Sequence, residues 1–236
     1  MGRVALVLGG LAAGVLLAIG LSLVFADDAG DADGASFERR PLDELRFPPV
    51  DHDPAAATEL VEAWARWRGA TFVARGTWTR ELDDPTQDVL AGGSYRVQDP
   101  PRRLVVRLGS TVERIDGDVS VCDSGDDSLV APACTDGAGV LTYDERVARE
   151  MAVVAAYVEG PDRAYDAAAG PDDGCHRVEL VAPALASPWG RWAEFCFDEA
   201  TGALVSSVVR RASAVDTEQL RVVSDTVTDA DFDPEE

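Results

Sequence analysis

The stretch Glu194–Arg211, "EFCFDEATGALVSSVVRR", decides how the rest of the chain is read. Two phenylalanines flank a cysteine, so Phe195 and Phe197 share one face of a strand and Cys196 points the other way. Asp198 to Gly202 then reads as a hairpin loop, with Gly202 supplying the positive φ that such loops need. The return strand carries Val on both faces, which suits a central place in a curved antiparallel sheet.

The cysteine implies a partner. The chain has four, Cys122, Cys134, Cys175 and Cys196. Cys175 and Cys196 are centred on the loop "APALASPWG", and Cys122 and Cys134 on "GDDSL". Each pair then faces itself across an antiparallel hairpin at a spacing a disulfide bridges, so Cys175–Cys196 and Cys122–Cys134 bonds are expected. Such bonds belong to an oxidising compartment.

The first residues agree with export. Val4 to Ala26 form 23 residues without a charge, enough to cross a bilayer core as a helix. Arg3 precedes the run, and Asp27 and Asp28 follow it, so the positive-inside rule leaves the N-terminus in the cytoplasm and the remainder outside. Val24-Phe25-Ala26 resembles a signal-peptidase site. The run exceeds the roughly 7–15 apolar residues of a cleaved leader, however, and a retained single-pass anchor over residues 1–26 in the cytoplasmic membrane is expected. Residues 27–53, rich in Asp, Gly, Ala and Pro, read as an acidic flexible tether. Residues 54–236 form the extracytoplasmic domain.

Formal net charge is −22, and all 21 basic residues are Arg. Such a field repels a phosphate backbone, which argues against nucleic-acid binding. The absence of Lys removes Walker A loops, Ser-Lys dyads and Schiff-base chemistry. No G-x-S-x-G or H-E-x-x-H occurs, and His52 and His176 are the only histidines. His52 sits in "DHD", which reads as a solvated turn before a helix, and His176 as a strand residue beside Cys175. The chain is therefore expected to be neither an enzyme nor a metal or cofactor carrier.

Within the domain, Asp53-Pro54 marks a helix start, and Leu60, Val61, Trp64 and Trp67 make an apolar stripe that ends at Gly69. From Ala70 the period changes to two. Phe72, Ala74 and Trp78 share a face, and Leu104, Val106 and Leu108 lie opposite Arg103 and Arg107. Thr142 caps a second helix with Tyr143, Val147, Met151 and Val154 on one side, stopped by Gly160-Pro161. Strands resume at 163–167, 175–181, 190–197, 203–211 and 219–227. The class is mainly β (α+β): a curved antiparallel sheet or half-open barrel, one helix before it and one inserted midway.

That order, over roughly Pro54 to Pro234, resembles the Lol-type lipoprotein-carrier superfamily. The strand, Asp-x-x-Thr-Gly turn and return strand of "FCFDEATGALVSSVV" are similar to the ends of those proteins. So are "LRVVSDTVTDADFDP", with its closing Phe before Pro, and more weakly "RGATFVARGTWTRE". The superfamily includes lipoprotein carriers, lipid-binding envelope lipoproteins and regulators of anti-sigma factors. The resemblance implies a half-open barrel plugged by helices and non-covalent binding of acyl chains or of a protein partner. The chain departs from the pattern in its helical anchor and its two expected disulfides, and an anchored protein does not shuttle between membranes.

Two functions follow. In one, a lipid or acyl chain enters an apolar cavity lined by Phe72, Trp78, Leu104, Val106, Met151, Val154, Tyr157, Phe195 and Phe197, in a membrane-anchored lipid-binding or envelope-sensing module. In the other, the core is filled by its own side chains and the domain docks a membrane protein such as an anti-sigma factor.

Overall fold

The computed structural model describes residues 47–84, 86–116, 119–122, 141–182 and 187–233. The expected anchor, most of the tether and Cys134 lie outside these residues. Among them no helix is long and apolar enough to cross a membrane.

Helix α1 spans Pro54–Gly69. Five strands follow, β1 (Phe72–Leu82), β2 (Leu90–Asp99), β3 (Arg102–Arg107), β4 (Ser110–Asp116) and β5 (Val119–Cys122), and then helix α2 (Tyr143–Val158). Strands β6 (Tyr165–Ala169), β7 (Cys175–Leu180), β8 (Trp192–Phe197), β9 (Leu204–Arg210) and β10 (Ala214–Ser224) complete the sheet, and a 3₁₀ helix at Asp229–Phe232 closes the described chain. The strands form one antiparallel sheet in the order β5-β4-β3-β2-β1-β10-β9-β8-β7-β6. The first and last strands in sequence, β1 and β10, thus pair in the middle, and β5 and β6 form the two open edges.

Both helix starts follow from local chemistry. Asp53 Oδ1 accepts the Ala55 N–H at 2.9 Å, and Pro54 takes the first helical position, where its missing N–H costs nothing. Thr142 and Glu145 form a reciprocal capping box at α2.

The sheet curls around α1, and Trp67 shows it. Its ring lies 6.4 Å from the Phe197 ring on β8 and 4.6 Å from the Arg103 guanidinium on β3. Five strand spacings separate β8 from β3, about 24 Å in a flat sheet, which one side chain cannot bridge. Gly76 lets β1 and β10 approach closely in the middle of the sheet, since a Cβ there would fall 1.8 Å from the Gln219 carbonyl oxygen.

The register sorts the side chains into an inner and an outer face. Cys175 pairs with Cys196 across β7 and β8 and their sulfurs are bonded. As expected, the bond sits on the outer face and Phe195 and Phe197 on the inner one. Gly202 has φ 76° and closes the β8–β9 hairpin by donating to the Asp198 carbonyl. Residues 47–53 lie against the outer face. Phe47 packs edge-on to Trp192 at 5.2 Å, the Trp192 indole N–H donates to the Pro48 carbonyl, and Asp53 N–H donates to the Ala167 carbonyl at the β6 edge.

Two expectations are corrected. Leu104 and Val106 do not face the interior with Phe195. They pack on the outer face with Val73, Val97 and Tyr95, under Phe232 of the C-terminal 3₁₀ helix. The interior of this half of the sheet belongs to Arg96, Arg103 and Arg107, because α1 and β10 supply carboxylate and aromatic partners there. For the same reason β10 begins at Ala214 and not at Gln219: Asp216 and Glu218, which read as loop residues, point inward and are paired with arginines.

Candidate functional site

The inner face has two regions. Over β6 to β9 it is aromatic and filled. Trp64 of α1 meets Trp67, Trp189, Phe195 and Phe197 with ring centroids 5.1–6.2 Å apart. Trp189 also contacts Tyr157 at 5.4 Å and Tyr165 at 5.1 Å. These are ordinary distances for packed aromatic pairs. Trp189, in the described segment just before β8, is fully buried and plugs the interior there. Its only sequence signal is an aromatic residue between Pro188 and Gly190. The Tyr165 hydroxyl donates to the Gly190 carbonyl at 3.1 Å and fixes the loop, while burial pushes its pKa up to about 12.

Over β10, β2 and β3 the inner face is ionic. Glu218 accepts from Arg96, from Arg107 at 2.8 Å and from the Ser94 hydroxyl. Burial alone would raise its pKa, but Arg96 and Arg107 outweigh that and hold it at about 2. Glu113, beside Arg103 at 2.7 Å, is held at about 2 in the same way. Glu150 of α2 accepts from the Trp64 indole at 2.8 Å and from Arg68. Burial drives Arg96 down to about 10 against the pull of Glu218. Arg68, Arg96 and Arg103 surround the Trp67 ring at 4.6–5.7 Å, a cation–π cluster in a desolvated site. Sequence pattern reads these arginines as solvated, since an alternating strand normally turns its charges outward.

Of the expected cavity residues, Phe72, Val154, Phe195 and Phe197 are in the closed aromatic core, with Met151 and Tyr157 packed against it. Trp78 is buried on the same inner face nearer the ionic region, with the Arg80 guanidinium 5.3 Å from its ring. Leu104 and Val106 belong to the outer cluster.

An open space lies elsewhere, between the start of α1 and the end of α2. This crevice, about 450 Å³, is walled by Pro54, Ala57 and Thr58 of α1, Val158 of α2, Glu159 and the Gly160-Pro161 turn, with His52 and Arg163 also lining it. Its volume falls within the roughly 300–1,000 Å³ of small-ligand clefts. These last two are already spoken for: His52 Nδ1 accepts the Ala167 N–H at 3.3 Å, and Arg163 bonds Asp166 at 2.7 Å. The walls are mainly apolar, with the Glu159 carboxylate accepting from the Thr58 hydroxyl at 3.4 Å between the two helix ends. Among the described residues no group of three or more His, Cys, Asp or Glu is placed to hold a metal ion.

No protein-family model matches the chain, and no curated protein matches it. Among solved structures it is similar to the crystal structure of LprF from Mycobacterium bovis, at 13% identity and a TM-score of 0.32, over 75% of this chain and 96% of that one. The likeness is distant.

Proposed function

We propose that the protein is a membrane-tethered, extracytoplasmic binding module without catalytic activity, which takes one hydrophobic chain of a lipid into the crevice between α1 and α2. The observation that carries this reading is the apolar crevice of about 450 Å³ at the end of the helix pair. The interior proper is occupied by Trp64, Trp67 and Trp189, so a chain entering there would have to displace fully buried indoles.

The filled interior favours a second reading, a module that docks a membrane protein. The two separate on one measurement. Native mass spectrometry of the full chain, extracted from its membrane, is expected to show a species heavier by one lipid. Thr58→Trp places a ring in the crevice from an exposed helix position and is expected to remove that species while leaving thermal unfolding unchanged. Extraction of lipid-free protein, or lipid retained by Thr58→Trp, would favour the docking module.

A further inference from the structure

The strand directions divide the domain's turns between two ends. One end carries the β1–β2, β3–β4, β7–β8 and β9–β10 connections and the turn between α2 and β6. The opposite end carries the connection from α1 to β1, the β2–β3, β6–β7 and β8–β9 turns and the segment after β10. The chemistry of the two ends differs.

Large apolar side chains are exposed at four places among the described residues: Leu90, Leu108, Val181 and Val223. Three of these are at the first end, and only Val223 is near the other. Leu108 is the most telling. Leu108 and Gly109 form a two-residue hairpin turn with φ 51° and 73°. The first position of such a turn favours Asn, Asp or Gly, yet here a left-handed backbone holds a leucine that is 44% exposed. Charge follows the same division. The described turns of the first end (83–84, 86–89, 108–109, 159–164, 181–182, 187–191 and 211–213) contain five acids and three arginines. Those of the other (70–71, 100–101, 170–174, 198–203 and 225–233) contain eight acids and no arginine. Phe47, the first described residue after the apolar run in sequence, packs on Trp192 at the head of β8, at this same first end. The crevice is walled by Gly160-Pro161 of the α2–β6 turn, so it lies at this end too.

We infer that this first end rests on the lipid surface, with Leu90, Leu108 and Val181 in the interfacial layer and the crevice opening toward the bilayer. The inference rests on the reading of residues 4–26 as an anchor. An anionic leaflet repels the eight-acid end and tolerates the nearly balanced one. Exposed apolar side chains at turn tips gain from burial at the acyl boundary. A tether attached at the same end brings the two surfaces together at high effective concentration.

The test uses the full chain reconstituted in vesicles of phosphatidylcholine and phosphatidylglycerol, with a nitroxide on Leu108→Cys, Val181→Cys or Val223→Cys. The first two labels are expected to collide with oxygen and be shielded from a water-soluble nickel complex, while the Val223→Cys label stays open to nickel. Leu90→Glu combined with Leu108→Glu is expected to raise nickel access at the Val181→Cys label several-fold. Flotation with alkali-washed vesicles but equal nickel access at all three labels would overturn the docked orientation alone. Shielding from both nickel and oxygen would also overturn it, because protein and not lipid would then cover the tips. Failure to float would remove the anchor, and the tethered reading of function with it.

Discussion

Glu218→Gln probes the ionic half of the interior. Glu218 is 2% exposed and is the shared acceptor of Arg96 and Arg107. Its pKa stands at about 2 against an ordinary 4.5, which corresponds to about 3 kcal/mol of folding free energy at neutral pH. Removing one partner of a buried pair costs about 3–5 kcal/mol, because the remaining charge stays buried. Glutamine keeps the shape and loses the charge, leaving two guanidiniums facing each other, so about 3 kcal/mol is expected. The sign of the pH dependence follows from the depressed carboxyl. Its contribution is whole above about pH 4.5 and fades as pH falls toward about 2, and Glu113 behaves alike. Urea unfolding of the full chain in detergent, followed by tryptophan fluorescence, reads this directly, since Trp67 lies over the cluster. The parent is expected to lose stability between pH 4.5 and 2, and the variant to be weaker at pH 7 with a shallower acid slope. An unchanged midpoint for Glu218→Gln at pH 7 would refute the reasoning.

Replacing Cys175 and Cys196 together by Ala opens a bond between residues 21 apart and is expected to cost about 3 kcal/mol in the same urea assay. Val154→Trp inserts a ring where there is no exposure, so it should destabilise by about 1–3 kcal/mol through overpacking, as a fall in melting temperature. Phe232→Ala removes the lid of the outer cluster, where Arg102 lies 3.8 Å over the ring. A loss of about 3 kcal/mol is expected, with faster hydrogen exchange across β2 and β3.

How far the sequence could be read depends on what set each feature. Hairpin and helix ends were legible because Asp53-Pro54, Thr142 and Gly202 act locally. The Cys175–Cys196 bond was legible because strand pairing about a loop midpoint is a matter of counting. Which face of β2 and β3 points inward was not legible. Alternation gives two faces without saying which is inside, and Arg96, Arg103 and Arg107 become interior only through Glu218, more than 100 residues on, the Trp67 ring of α1 and Glu113 on the neighbouring strand. Trp189 was hidden in a loop whose Pro and Gly signal a turn and say nothing of a ring folded back into the core. The crevice was hidden as well, since it arises from the meeting of two helix ends about 100 residues apart, as the Thr58–Glu159 contact shows.

The most direct test of the proposed binding site is to map where a photoactivatable fatty acid attaches to the full chain, by peptide sequencing after irradiation. Adducts are expected on residues 54–58 and 158–163, and are expected to be lost in Thr58→Trp. Adducts on Phe195 or Phe197 inside the sheet, or none that excess lipid competes away, would contradict it.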